Sequence, residues 1–137
     1  MQEYCDLILL DNHHRILMIQ RDCDDRIAGP GAWSLVGGRL QLSETPLIGI
    51  IRETEEEIGL KIRSPKLLGI VEDEWNGKSV KHHIFMLLVG KFHAIQLQEG
   101  VGYAWLTIDE IAQLGDKLVP WFNRVYSSSV RLAIHKT

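Results

Sequence analysis

Glu53, Glu55, Glu56 and Glu57 stand in one five-residue run, preceded by Arg52 and followed by Ile58-Gly59-Leu60. Carboxylates this dense either solvate a helix end or gather a hard cation whose charge offsets theirs. At about 100° per residue with Glu53 at zero, Glu57 falls at about 40° and Glu56 at about −60°, so these three share one face, and Glu55 lies elsewhere at about 200°. Leu47, Ile51 and Ile58 gather at about 120–160°, a separate stripe predicted to face the core. Gly49 lies on the carboxylate side, where a helical glycine costs about 1 kcal/mol relative to alanine and implies a packing or functional reason. Like charges at these spacings repel. They also sit toward the helix C-terminus, where the macrodipole disfavours anions. Arg52 is the sole basic residue of this segment. A bound Mg²⁺ or Mn²⁺ would relieve the repulsion; a solvated face is the alternative that geometry alone leaves open.

The flanking segments supply what must position that helix. Residues 3–10, EYCDLILL, and 15–20, RILMIQ, are predicted as strands of a hairpin around Asp11-Asn12-His13-His14. Arg21 closes the second strand, and its forked donors suit a phosphate. A polar loop to Ala32 follows, with Gly29-Pro30-Gly31 as turn signals. Trp33–Leu35 is predicted as a short strand leading to Gly37-Gly38, which let backbone approach closely. Beyond the acidic helix, a strand through LLGIVEDEW turns at Asn76-Gly77 and returns over Val80–Phe92. His82 and His83 are neighbours on that strand, so their side chains take opposite faces and at most one can face a site. Gln96–Trp105 is a glycine-containing loop before a short strand, and Thr107 with Glu110 forms a capping box for a short helix. A last helix is predicted over Val119–Ser129 with Pro120 in its first turn. Residues from about 130 to 137 are expected as a tail that is flexible or packs on a partner. Trp33, Trp75, Trp105 and Trp121 are candidates for base stacking, although tryptophans in a small domain more often fill the core.

The fixed positions of the central stretch resemble the Nudix box, G-x5-E-x7-R-E-U-x-E-E-x-G-U with U a bulky aliphatic. The chain reads Gly38, five residues, Glu44, seven residues, then Arg52-Glu53-Thr54-Glu55-Glu56-Glu57-Ile58-Gly59-Leu60. Thr54 departs from the first U. Trp33-Ser34-Leu35-Val36-Gly37-Gly38 is similar to the family's W-x-x-P-G-G approach, with Val36 in place of proline. The resemblance implies a Nudix-type α/β/α sandwich on a mixed β-sheet and Mg²⁺- (or Mn²⁺-) dependent hydrolysis of a nucleoside diphosphate linked to another group. The ion would screen phosphate charge and activate water. Glu53, Glu56, Glu57 and Gly38 would hold it. Arg52 would orient the carboxylates, and Glu44 would brace the loop or reach the ion through water. Glu99-Gly100 followed by Trp105 is similar to an E-G-x4-W stretch of the mutator-type members, so the base is Glu53 or Glu99. Arg21, Gly37, Asp116 and Asn123 are the expected substrate contacts. The short chain favours a (deoxy)nucleoside triphosphate cleaved to monophosphate and pyrophosphate. ADP-ribose or a nucleotide sugar is the runner-up, and a non-catalytic nucleotide-binding regulator is the rival class. That rival normally loses box carboxylates, which this chain keeps.

Length and composition agree with one soluble domain spanning 1–137. A net charge of −3 gives no electrostatic reason to expect a nucleic-acid polymer as partner. Cys5 and Cys23 form no CxxC motif, which favours a reduced, cytoplasmic setting. The N-terminus lacks the pattern of a signal peptide, and no stretch is long and apolar enough to span a membrane. A monomer or homodimer acting on a small phosphorylated nucleotide is expected.

Overall fold

Alternation along the first strand sorts the molecule into layers. In β1 (Gln2–Leu10), Cys5, Leu7 and Leu9 belong to one buried cluster, and Ile8 and Leu10 to another on the opposite face. Successive side chains of a strand point to opposite faces, so an apolar run buried on both sides makes a central strand. The structure, a computed structural model, describes residues 1–24, 26, 29–90 and 95–137. Its remaining elements are β2 (Ile16–Gln20), β3 (Trp33–Ser34), β4 (Val36–Arg39), α1 (Pro46–Ile58), β5 (Lys66–Trp75), β6 (Lys78–Leu88), β7 (Gly102–Leu106), α2 (Ile108–Leu114), a 3-10 turn Gly115–Lys117, α3 (Phe122–Val125) and α4 (Ser127–His135).

The sheet is mixed, in order β3-β2-β1-β6-β5. β1 runs parallel to β6 and antiparallel to β2 and β4. β4 pairs with Tyr4–Leu7 and β2 with Leu10, so the two neighbours on that side of β1 diverge. β7 pairs with β2. Helix α1 covers the face carrying Cys5, Leu7, Leu9 and Phe85; α2, α3 and α4 cover the face carrying Ile8, Leu10, Ile84 and Met86. This is the expected α/β/α sandwich. No helix among the described residues is long and apolar enough to cross a membrane.

Local chemistry explains the joints. The β5–β6 hairpin closes at Trp75↔Lys78 with positive φ at both Asn76 and Gly77, the twist that a two-residue hairpin loop requires. Thr45 caps α1 through a hydrogen bond from the Ile48 amide, with Pro46 in the first turn. The capping box at Thr107–Glu110 forms as expected.

Four expectations change. The buried side of α1 is Gly49, Ile50, Thr54 and Ile58, whereas Leu47 is 47% exposed. Leu47 lies in the first turn, and the core meets the helix further along. The last helix does not run over Val119–Ser129: the Val119 amide donates to the Trp33 carbonyl and holds that residue beside the sheet, so helix begins at Phe122 and restarts at Ser127. The end of the chain is helical to His135, with Val130 and Ala133 buried, where a tail is expected. The returning strand ends at Leu88; Phe92, its expected end, lies outside the described residues.

Candidate active site

Two glycines set the site. A Cβ on Gly37 would collide with the Cys5 carbonyl oxygen and approach the Asp6 Cα to 2.8 Å; a Cβ on Gly38 would lie 2.5 Å from the Glu53 carboxylate. Gly37 is therefore required where β4 pairs with β1, and Gly38 leaves room for the Glu53 carboxylate to lie against β4. Gly49 does the same from the helix side, since a Cβ there would strike the Leu40 side chain and reach within 3.2 Å of Glu44 Oε1. The helical glycine is thus explained by packing against the box loop.

Arg52 is the hub of the box. Its Nε and Nη2 donate to the two Glu44 oxygens at 2.6 and 2.8 Å, and its Nη1 donates to Glu53 Oε1 and Glu56 Oε2, each at 2.9 Å. Nη2 also reaches the Arg39 carbonyl at 3.3 Å. The bidentate pair holds Glu44 well below the usual carboxylate range, at about 2, with the Arg52 hydrogen bond the main cause. The same bonds raise the guanidinium. Glu44 also accepts from the Gln41 amide at 2.9 Å, so it ties the loop to the helix.

Glu53 and Glu57 are half-buried, while Glu56 has half its side chain exposed. Burial, opposed by Arg52, leaves the Glu53 carboxyl raised above its ordinary value. Burial pushes Glu57 up to about 8, and the charges of Glu53 and Glu99 add to it. One Glu57 oxygen accepts from the Gly37 amide at 3.4 Å. Thr54, the departure from the box, is fully buried, and its hydroxyl donates to the Ile50 carbonyl at 2.7 Å, so the polar atom is satisfied within the helix.

Glu99 reaches this cluster because its loop is fastened at three points. The Gln96 and Gln98 amides donate to the Ile58 and Glu57 carbonyls at the end of α1, and the Val101 amide donates to the Gln20 carbonyl at the end of β2. Gly100 lies so close to β2 that a Cβ would stand 2.6 Å from the Gln20 carbonyl oxygen. A cavity of about 190 Å³ brings together Arg21, Gly37, Glu57 and Glu99. It adjoins a larger one of about 380 Å³ through shared Arg21, Ser34, Leu35 and Gly37. The larger cavity is walled by Tyr4, Trp75 and Trp121, with Asp6, His82 and Tyr126 also lining it. Arg21 lies over the Trp121 ring at 5.9 Å.

Several expected site residues fall elsewhere. Asp116 is exposed on the 3-10 turn. Asn123 is exposed, accepts from Ser127 Oγ at 3.1 Å, and borders a separate groove between α2 and α4. Neither lines the two adjoining cavities; the turn between α3 and α4 carries Tyr126 rather than Asn123 toward the sheet. Trp33 and Trp105 pack against the two cores. His82 faces the large cavity, and His83 faces the other side, bonded to Glu3 at 2.7 Å. Asp6 and Tyr126 were not legible as site residues. The available signal was a charged residue inside an otherwise apolar, doubly buried strand, which calls for a partner.

The donor chemistry fits a hard divalent cation: the carboxylates of Glu53, Glu56 and Glu57 concentrate on one helix, and hard cations take carboxylate oxygens. Among the described residues, no three His, Cys, Asp or Glu side chains converge round one point as placed. Arg52 holds Glu53 and Glu56 instead.

The chain belongs to the Nudix family: the NUDIX domain matches residues 4–127. A MutT-like protein of Streptomyces ambofaciens is 31% identical over 99 residues, 72% of this chain and 59% of that protein. An 8-oxo-dGTP diphosphatase of Proteus vulgaris is 28% identical over 80 residues, 58% of this chain and 70% of that protein. The chain thus spans little more than half the length of the first of these relatives. The MutT protein of Methanosarcina mazei Go1 shares the fold with a TM-score of 0.77 at 23% identity, over 98% of this chain and 93% of that one.

Proposed function

We propose that this chain hydrolyses a (deoxy)nucleoside triphosphate to its monophosphate and pyrophosphate, using Mg²⁺ or Mn²⁺. The carrying observation is the shared wall of two adjoining cavities: Arg21 and Gly37 line both, Glu57 and Glu99 line the smaller, and Tyr4, Trp75 and Trp121 line the larger. A nucleotide needs both environments, one for its phosphates and one for its base. The Proteus relative's name, a diphosphatase of a purine nucleoside triphosphate, supports this substrate class.

Glu53, Glu56 and Glu57 with Gly38 would hold the ion, which when bound supplies charge neutralisation for the phosphates and a more acidic water. Arg52 sets the rotamers of Glu53 and Glu56, and Glu44 anchors Arg52. Arg21 contacts phosphate from the shared wall. Glu99 takes the proton of the attacking water. Of the two candidate bases it is the one that lines the cavity, while Glu53 is held by Arg52. A small nucleotide in a cytoplasmic setting completes this reading.

The test is a panel of nucleoside triphosphates, ADP-ribose and nucleotide sugars with Mg²⁺, with pyrophosphate and phosphate detected separately. Pyrophosphate released from triphosphates is expected. AMP from ADP-ribose, with triphosphates untouched, would overturn the substrate class.

A further inference from the structure

The large cavity holds a polar relay on its sheet side that box chemistry does not use. Asp6 is 5% exposed and accepts at both oxygens: Tyr126 Oη donates to Oδ1 at 2.7 Å, and His82 Nδ1 lies 2.8 Å from Oδ2. Tyr126 Oη in turn accepts from Trp121 Nε1 at 3.3 Å. Two aromatic rings also hold the imidazole. Tyr4 stacks on its face with ring centroids 5.1 Å apart, and Tyr126 meets it edge-on at 5.6 Å. A carboxylate at Nδ1 fixes the proton of the neutral ring on that nitrogen, leaving Nε2 as an acceptor. Nε2 has no partner among the described residues. Among those residues no buried side-chain nitrogen or oxygen lacks a hydrogen bond, so Nε2 meets solvent. His82 is 5% exposed and lines the cavity, so that solvent is the cavity's.

We propose that His82, locked by Asp6 and Tyr126, selects the base of the nucleotide: its Nε2 accepts an N–H from the edge of a planar heterocycle and favours bases bearing an exocyclic amine over their keto counterparts. The inference rests on the nucleotide-hydrolase reading and adds the base class to it. Tyr4, Trp75 and Trp121 give the cavity aromatic walls suited to a flat ring. The preference requires the aromatic walls to hold the exocyclic position opposite Nε2: there a keto oxygen sets lone pair against lone pair, and the ring N–H of the keto base lies one atom further along the edge, out of line.

The relay provides its own inversion. In Asp6→Asn the amide oxygen still accepts from Tyr126, while the amide nitrogen donates to His82 Nδ1. The imidazole proton must then move to Nε2, which becomes a donor. Calorimetric titration with CMP against UMP and AMP against IMP, in alkaline buffer, reads the effect without turnover. Wild-type protein is expected to bind the amino member of each pair at least about tenfold more tightly, roughly one satisfied hydrogen bond against one opposed. Asp6→Asn is expected to reverse that preference. Equal affinities within the pairs, no binding of any monophosphate, or a ratio that Asp6→Asn leaves unchanged would overturn the inference. Should Asp6→Asn fail to fold, ¹H–¹⁵N spectra of wild-type imidazoles decide: Nε2 must be the unprotonated nitrogen and must shift with CMP or AMP. A protonated Nε2, or one that ignores both, overturns the proposal. Triphosphate turnover without amino preference removes this inference and leaves the reaction; amino preference without turnover does the reverse.

Discussion

Replacing Arg52 by methionine keeps the aliphatic stem and removes the guanidinium. The structure lets the cost be worked. Glu44 has 8% of its side chain exposed and loses two charge-assisted bonds, keeping only the Gln41 amide. Glu53, 14% exposed, loses its bond from Arg52 Nη1. Glu56 is half exposed, and its pair contributes at most about 0.5 kcal/mol. Removing one partner of a largely buried ion pair costs about 3–5 kcal/mol, and relaxation of Glu44 toward solvent lowers the expectation to about 3 kcal/mol. At about 3 °C per kcal/mol for a domain of this size, the midpoint should fall by about 10 °C. Thermal and urea unfolding measure it. The pH dependence gives a second reading. Glu44 is depressed to about 2 from 4.5, so its stabilising contribution is complete above 4.5 and is lost as the pH falls through about 2. The gap between wild type and Arg52→Met should narrow over that window. A loss below about 1 kcal/mol at neutral pH, or a gap that stays constant down to pH 2, would refute the view of Arg52 as the box's electrostatic hub.

Other expectations follow from the same geometry. Glu57 is raised to about 8 from 4.5, so the metal-free folded state holds a proton that the unfolded state releases, and stability should fall as the pH rises between those values. Mn²⁺ binding near neutral pH should release that proton, which calorimetry in buffers of different ionisation enthalpy detects as a buffer-dependent heat. Gly37→Ala must displace β1 or β4 and should cost at least about 3 kcal/mol by urea unfolding, whereas Gly77→Ala, with open space at its Cβ, should cost only the strain of its positive φ, about 1 kcal/mol. A thiol reagent should modify exposed Cys23 quickly in the native protein and Cys5 only on unfolding, because burial raises the Cys5 thiol to about 12.

Much of the fold was readable because its signals are local. Asn76-Gly77 specifies a tight hairpin, Thr107 with Glu110 specifies a helix start, and the box spacing places Arg52 and the glutamates on one helix. The box also carried the candidate cluster, within which Arg52 bonds Glu44, Glu53 and Glu56. What remained hidden depends on long-range packing. Leu47 looks like a core residue by helical angle, but only the sheet's extent shows that it overhangs. Asn123 and Tyr126 are three residues apart, and the break between α3 and α4 decides which of them reaches the sheet. Asp6, His82 and Tyr126 come from β1, β6 and the turn between α3 and α4, so no sequence window contains their relay.

The central claim is that the half-buried box carboxylates hold the ion that makes hydrolysis possible. The direct measurement is triphosphate turnover across a Mg²⁺ titration, with wild type beside Glu57→Gln and folding checked by circular dichroism. Wild type should release pyrophosphate with saturable dependence on Mg²⁺, and Glu57→Gln should lose at least about a hundredfold in turnover while remaining folded, as loss of an interaction made at the reacting centre requires. Turnover by Glu57→Gln equal to wild type, or wild-type turnover indifferent to Mg²⁺ and to its removal by chelator, would contradict it.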